Sequence, residues 1–143
     1  MLADNHKPLY MLVVDDDPAM TKLIAKILKN YFGADLDITE VVDSQTAVNI
    51  ASGKRLDLCI TDMDMPNVNG FKVLKTIKQT NPLTQAIILT AHPVENAIIS
   101  AFSMGADDFL LKPIDPQVLI RSVQFMMDRL ERFRKEIIFP VHA

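Results

Sequence analysis

Apolar residues in this chain fall into five short runs, each followed by a stretch in which they recur every three or four positions. The first run, LYMLVV over residues 9–14, is continuous, as befits a strand covered on both faces in a parallel sheet. It stops at Asp15, Asp16, Asp17 and Pro18. Asp17 suits a helix cap and Pro18 the first helical position, after which Met20, Leu23, Ile24, Ile27, Leu28 and Tyr31 share one face. After Gly33 the spacing predicts a weaker strand over residues 36–42, interrupted by Asp37 and Glu40, then a short helix over 44–52 closed by Gly53. The third strand, residues 58–61 after Asp57, runs into two carboxylates, Asp62 and Asp64. Its helix is predicted from about residue 69 to residue 80, with Phe71, Leu74 and Ile77 inward and Asn81-Pro82 as the stop. A fourth strand covers residues 86–90, and Pro93 opens a helix with one stripe of Val94, Ala97, Ile98, Ala101 and Phe102 ending at Gly105. The fifth strand, 108–111, is broken by Lys112-Pro113, and Asp115-Pro116 starts a last helix running to about residue 136. Strand and helix thus alternate throughout with short connections. The expected fold is α/β, a single doubly wound five-stranded parallel sheet with helices on both faces.

Composition narrows the setting. A chain of 143 residues, 49% apolar and 23% charged, fits one domain with one core. A formal charge of -3 without a long basic run argues against a nucleic-acid surface within these residues. The single cysteine, Cys59, lies in a predicted strand and reads as a buried thiol in a reducing compartment. The first residues lack the pattern of a signal peptide, and no apolar run approaches the ~20 residues that span a bilayer. The expected location is the cytoplasm, with no membrane partner.

Polar residues at the carboxyl ends of the predicted strands are few: Asp15 and Asp16, then Asp62 and Asp64, then Thr90, then Lys112. In an open parallel sheet these ends share one crevice. Carboxylates within ~4 Å of one another repel by about 4 kcal/mol per pair at an effective dielectric near 20, so something must neutralise them. A hard divalent cation with oxygen ligands does so, and Lys112 adds a compact positive charge. The Thr90 hydroxyl is a donor for an incoming oxygen. This set suits phosphoryl transfer with Asp62 as a carboxylate nucleophile. Plainer readings stand beside it: Asp15 and Asp16 as solvated loop acids, Lys112 as a surface lysine, Thr90 as the cap of the helix opened by Pro93.

The segments LVVDDDP, DLCITDMDMPNVNG, ILTAH and GADDFLLKP, in this order and spacing, closely resemble the receiver domain of two-component response regulators. The resemblance covers roughly residues 9–127, leaving 1–8 as a tail and 128–143 as an extension of the last helix plus a tail. It implies a flavodoxin-like sheet of strand order 2-1-3-4-5. It also implies that Asp62 accepts a phosphoryl group from a sensor histidine kinase or phosphotransfer protein, as a signalling phosphoacceptor rather than an enzyme. Its own chemistry would be limited to self-phosphorylation and slow autodephosphorylation. Asp16 would bind Mg²⁺ (or Mn²⁺) directly, Asp15 mainly through water, Asp62 by its carboxylate and Asp64 by its backbone carbonyl. Lys112 would bridge to the phosphoryl group, Thr90 and Phe109 would switch, and Asp64 and His92 would tune the lifetime of the acyl phosphate. The fourth helix, fifth strand and fifth helix would form the output surface, and Lys112-Pro113 would be a cis peptide. Two departures stand out: Gln45 where many receivers carry Gly, and Phe109 where Tyr is frequent.

In the last helix Leu119, Val123, Met126, Leu130, Phe133 and Ile137 follow a heptad seam, with Asp128/Arg132 and Glu131/Lys135 as i,i+4 pairs. Beyond about residue 127 this seam is a candidate for homodimerisation or domain linkage, with local packing as the alternative; the output surface is a second dimer candidate. The terminal IIFPVHA is too apolar for a comfortable free tail. Three rival functions remain. A Mg²⁺-dependent phosphatase with an Asp-x-Asp nucleophile, similar to haloacid-dehalogenase-like enzymes, fits DMDMP but would place that motif after the first strand. A nucleotide- or flavin-binding module would need a glycine-rich loop where DDDP stands. A scaffold that has lost switching is the third.

Overall fold

The computed structural model describes residues 7–53, 55–65 and 70–136. Five parallel strands, β1 (Leu9–Val14), β2 (Leu36–Val41), β3 (Leu58–Asp62), β4 (Gln85–Thr90) and β5 (Asp108–Leu111), form one sheet of order β2-β1-β3-β4-β5. Between them run α1 (Pro18–Phe32), α2 (Ser44–Gly53), α3 (Gly70–Thr80), α4 (Glu95–Ser103) and α5 (Pro116–Glu136), with a 3₁₀ turn at Gly33–Asp35. Alternate strand residues sort to opposite faces, as the period of two requires. Met11, Val13, Leu58, Ile60, Ile87 and Leu89 meet Ile24 and Leu28 of α1 and Leu119, Val123, Met126 and Leu130 of α5. On the other face Leu12, Val14 and Cys59 meet Ala47 and Ala51 of α2 with Val73 and Ile77 of α3, while Ala86 and Ile88 meet Leu74 and Ala101. The order reverses at β1 and β3, so a crevice opens beyond their carboxyl ends.

Most predicted bounds agree within a residue or two. The end of α1 is closed by Gly33, whose φ of 58° favours a residue without a side chain. Gln45 enters α2 without distortion: Asp43 accepts from the Thr46 backbone N–H at 2.7 Å as a cap, and Gln45 donates to Asn49 at 3.1 Å. The fourth helix departs furthest. It starts at Glu95, two residues after Pro93, because Val94 still has extended backbone (φ −79°, ψ 125°). Of its predicted stripe only Ala101 is buried, while Val94 and Phe102 are exposed. The sheet opposite presents Ala86 and the four-residue β5, so one small side chain is enough to seat the helix there.

As far as it is described, the predicted seam of α5 packs against the domain's own core. Leu119, Val123, Met126 and Leu130 are buried in the α1/α5 core and Phe133 packs against it; Ile137 and the apolar terminus lie outside the described residues. Glu131 and Lys135 do approach, at 3.5 Å on an exposed face, where such a pair adds little. Asp128 instead accepts from Gln124 at 3.0 Å.

Two aspartates fasten the opposite edge of the sheet by the same device. The Asp57 N–H donates to Tyr10 O (2.9 Å) and its carboxylate accepts from Tyr10 N (2.8 Å); Asp107 does likewise with Ala86 (2.8 and 2.8 Å). Each carboxylate is neutralised by two cations. Arg134 of α5 and Arg55 lie 3.0 and 3.2 Å from Asp57, and Lys78 of α3 and Arg129 of α5 lie 2.8 and 3.6 Å from Asp107.

Candidate functional site

Asp15 continues the line of β1 by donating its N–H to Val41 O at 3.1 Å, which carries its side chain into the crevice fully buried. Its Oδ1 accepts from the Asp17 N–H at 2.9 Å, and Asp17 in turn caps α1 by accepting from Ala19 N at 2.9 Å. Asp62 ends β3 with only 2% of its surface exposed, and its Oδ1 accepts from the Asp64 N–H at 3.3 Å. Lys112 arrives from the end of β5, held by its own N–H on Thr90 O at 2.9 Å and followed by a cis peptide to Pro113. Its ammonium lies 2.8 Å from Asp15 Oδ2 and 3.4 Å from Asp62 Oδ2. One carboxylate oxygen each from Asp15, Asp16 and Asp62 lie within 4.8 Å of one another, Asp16 being the exposed member.

Three carboxylates against one ammonium leave an excess of negative charge. Burial pushes the Asp62 carboxyl above its ordinary range; the Asp64 N–H opposes this, the Asp15 charge adds to it, and Lys112 opposes it again, with a net upward shift. For Lys112 burial favours the neutral amine, but the pairing with Asp15 and Asp62 outweighs it and the ammonium is held more firmly than usual. Among the described residues two buried side-chain oxygens have no assigned hydrogen-bond donor, Gln85 Oε1 and Asp15 Oδ2, the latter ion-paired with Lys112 at 2.8 Å. An oxygen-only donor set with excess negative charge to neutralise fits a hard divalent cation such as Mg²⁺.

Thr90 is buried, and its hydroxyl is turned into the loop beyond β4, donating to His92 O and accepting from His92 N, both at 3.0 Å. It therefore closes a turn and does not cap α4, which begins further on. Phe109 is partly buried against the Met63, Leu74 and Ile88 cluster and meets Phe102 edge-on, with ring centroids 6.2 Å apart. His92 and Asp64 face each other at the exposed mouth, with Nδ1 and Oδ2 3.9 Å apart. All the strand-end residues singled out in the sequence thus come to one edge. Gly70, Asp57 and Asp107 were not. The signal for the two acids was available, Asp57 standing immediately before an apolar run and Asp107 one residue before another; the contact that Gly70 makes joins residues well apart in sequence and leaves no local signature.

An open parallel sheet whose switch point holds a buried aspartate, acidic neighbours and a lysine defines a phosphoacceptor class of signalling domain. The sequence matches the response regulator receiver domain family over residues 11–124, and the chain belongs to that family. It is 36% identical over 112 residues to the DNA-binding transcriptional regulator NtrC of Escherichia coli (strain K12), covering 78% of this chain and 23% of NtrC. It is 27% identical over 117 residues to the nitrate/nitrite response regulator protein NarP of the same strain, covering 82% of this chain and 54% of NarP. The chain therefore spans about half or less of these curated relatives. Among solved structures it resembles the receiver domain of a putative Luxo repressor protein from Vibrio parahaemolyticus (TM-score 0.83, 27% identity, 92% of this chain and 99% of that one). A CheY-like receiver domain from Methanospirillum hungatei shares the fold (TM-score 0.80, 21% identity, 88% and 98% coverage). As a receiver domain the chain is a phosphoacceptor in two-component signalling, and the haloacid-dehalogenase-like alternative is not favoured. Among the described residues no helix is long and apolar enough to cross a membrane.

Proposed function

We propose that Asp62 is the phosphoacceptor and that Asp15, Asp16, Lys112, Thr90 and Phe109 serve its phosphorylation and readout. The observation that carries this is a nearly buried carboxylate at a strand end, 3.4 Å from an ammonium and within 4.8 Å of two further carboxylate oxygens. A carboxylate oxygen of Asp62 attacks the phosphorus of a phosphohistidine on a sensor kinase or phosphotransfer protein. The new O–P bond forms as the N–P bond breaks, and the departing imidazole takes up a proton from solvent. Mg²⁺ would be held by the carboxylates of Asp16 and Asp62, by Asp15 mainly through water and by the carbonyl of Asp64, and would neutralise the phosphoryl oxygens when bound.

Lys112 pairs with a phosphoryl oxygen as Asp62 loses its own charge. Thr90 gives up His92 for another phosphoryl oxygen, and the space it leaves lets Phe109 move inward. Both shifts bias a two-state arrangement of the surface made by α4, β5 and α5. That surface carries exposed Ile99, Phe102, Leu111, Val118 and Phe125, apolar area suited to a partner, an output domain or a second copy of the chain. Phe109 has no hydroxyl, so its part in the switch is packing alone. Asp64 and His92, facing each other at the mouth, set how readily water reaches the acyl phosphate. We place this exchange in the cytoplasm.

The test is intact mass after incubation with Mg²⁺ and acetyl phosphate or phosphoramidate. A gain of about 80 Da, labile to hydroxylamine and absent in Asp62→Ala, is the expected result. A gain that survives in Asp62→Ala would place the acceptor elsewhere. Steady release of inorganic phosphate from small phosphate esters would restore the phosphatase reading.

A further inference from the structure

We infer that Gly70 is a positioning residue for the phosphoacceptor: the missing side chain at the first position of α3 lets this helix press directly on the Asp62–Met63 peptide and so fixes the turn that carries the site. The inference rests on the reading of Asp62 above. A Cβ built at Gly70 runs into the Asp62 carbonyl oxygen, lies 2.8 Å from the Met63 Cα and meets the Met63 Sδ at 2.9 Å. The first two are main-chain atoms, so no rotamer change relieves them. Nor is φ the reason for glycine here, because only Gly33 and Gly105 lie in the left-handed region among the described residues. The requirement is close approach of two backbones.

Two segments meet at this contact, and they differ in how firmly they are held. Beyond Gly70, α3 is seated by Val73, Leu74 and Ile77, all buried in the α2/α3/α4 face of the core. Asp62 is the last residue of β3, Met63 keeps one sheet bond by donating to Leu89 O at 3.0 Å, and Asp64 is already exposed. Extra bulk at position 70 therefore displaces the piece with fewer ties, the Met63–Asp64 turn. Two site features ride on that turn: the Asp64 N–H that holds Asp62 Oδ1 at 3.3 Å, and the Asp64 carbonyl. Gly70 itself donates to Met63 O at 3.4 Å, a weak bond that keeps the two backbones in register. A purely structural glycine would cost stability and leave the site's affinity alone. A positioning glycine costs affinity and rate beyond what stability explains.

The experiment compares wild type, Gly70→Ala and Asp62→Ala for Mg²⁺ affinity by calorimetry, phosphorylation rate with acetyl phosphate at saturating Mg²⁺, and urea midpoint. For Gly70→Ala the expected result is a Mg²⁺ affinity lowered at least fivefold and a phosphorylation rate lowered at least tenfold in protein that is folded at the assay condition. Unchanged affinity and rate, within twofold, in a folded variant would overturn the inference. Should Gly70→Ala not fold, the wild type decides: in ¹⁵N-labelled protein a Mg²⁺ titration shifts the Gly70 amide together with Met63 and Asp64, while Gly33 and Gly53 stay in place. A Gly70 amide that stays fixed while Asp64 moves would overturn it equally. Failure of the wild type to take up a phosphoryl group would count against the Asp62 reading alone, and the Mg²⁺ comparison would still decide Gly70.

Discussion

Lys112 sits closer to Asp15 than to Asp62, at 2.8 Å against 3.4 Å. In the unphosphorylated domain the ammonium thus rests on the acid that is not the proposed acceptor and only shares the one that is. A phosphoryl group on Asp62 offers more negative oxygen than Asp15 does, so the ammonium has a reason to move, and the short shift is built into the resting geometry.

Removing that ammonium leaves Asp15 and Asp62 buried with no protein cation between them. Lys112→Ala is expected to cost about 3 kcal/mol without metal, the low end of the range for breaking a buried pair because Lys112 is partly exposed, and to recover part of this when Mg²⁺ is added. Urea denaturation with and without Mg²⁺ measures both. Equal losses in the two conditions would mean that Lys112 supports the fold through packing and not through charge.

The raised pKa of Asp62 carries a sign. The folded state holds this proton more tightly than the unfolded chain, so the contribution to stability is fully present below the unfolded value of about 3.9 and is lost as pH rises through the higher folded value. At neutral pH the ionised carboxylate is a net cost. Asp62→Asn should therefore stabilise the metal-free domain at pH 7, raising Tm, with the gain shrinking toward pH 4 and added Mg²⁺ giving little further increment. A variant less stable than wild type at pH 7 would show that the hydrogen bond from Asp64 outweighs burial.

The strand ends were legible in the sequence because charged residues stand out at the end of apolar runs: Asp15, Asp62, Thr90 and Lys112 are each where a continuous hydrophobic strand stops. The order of the sheet was legible only through family resemblance, since periodicity fixes strands and not their neighbours. Three features stayed hidden. The exposure of α4 depends on how little β5 offers to cover it. The use of the α5 seam depends on α1 and the sheet reaching as far as Leu130, and a heptad pattern reads the same whether its partner is a second copy or the domain's own core. The Gly70 contact depends on two backbones meeting that are not neighbours in sequence.

That use of the seam has a consequence for the C-terminal half of α5. Leu130 is buried with Val123 and Met126, and one turn further Arg134 reaches Asp57 at 3.0 Å. Leu130→Ala should cost about 2–4 kcal/mol, as for other buried leucines, with no change in the mass in solution. Arg134→Ala should cost less, up to about 1 kcal/mol, because the pair is half exposed and Asp57 keeps Arg55 and the Tyr10 N–H. If light scattering shows a dimer that Leu130→Ala converts to a monomer at unchanged stability, the seam is intermolecular after all.

Cys59 offers a reporter that links core and site. It lies on β3 three positions before Asp62, fully buried, and burial pushes its thiol far above the ordinary range, so the reactive thiolate is withheld while the domain is folded. Labelling by a thiol reagent such as DTNB must therefore pass through unfolding, and its rate under native conditions tracks the unfolded fraction. On the proposed reading, Mg²⁺ binds only the folded site. At a Mg²⁺ concentration about 100 times Kd the labelling rate should fall about 100-fold, the factor that one-site linkage gives, and the same addition should leave Asp62→Asn nearly unaffected. Fast labelling that ignores Mg²⁺ would show that β3 opens locally without disturbing the carboxylates at its end, and would separate the strand from the site it carries.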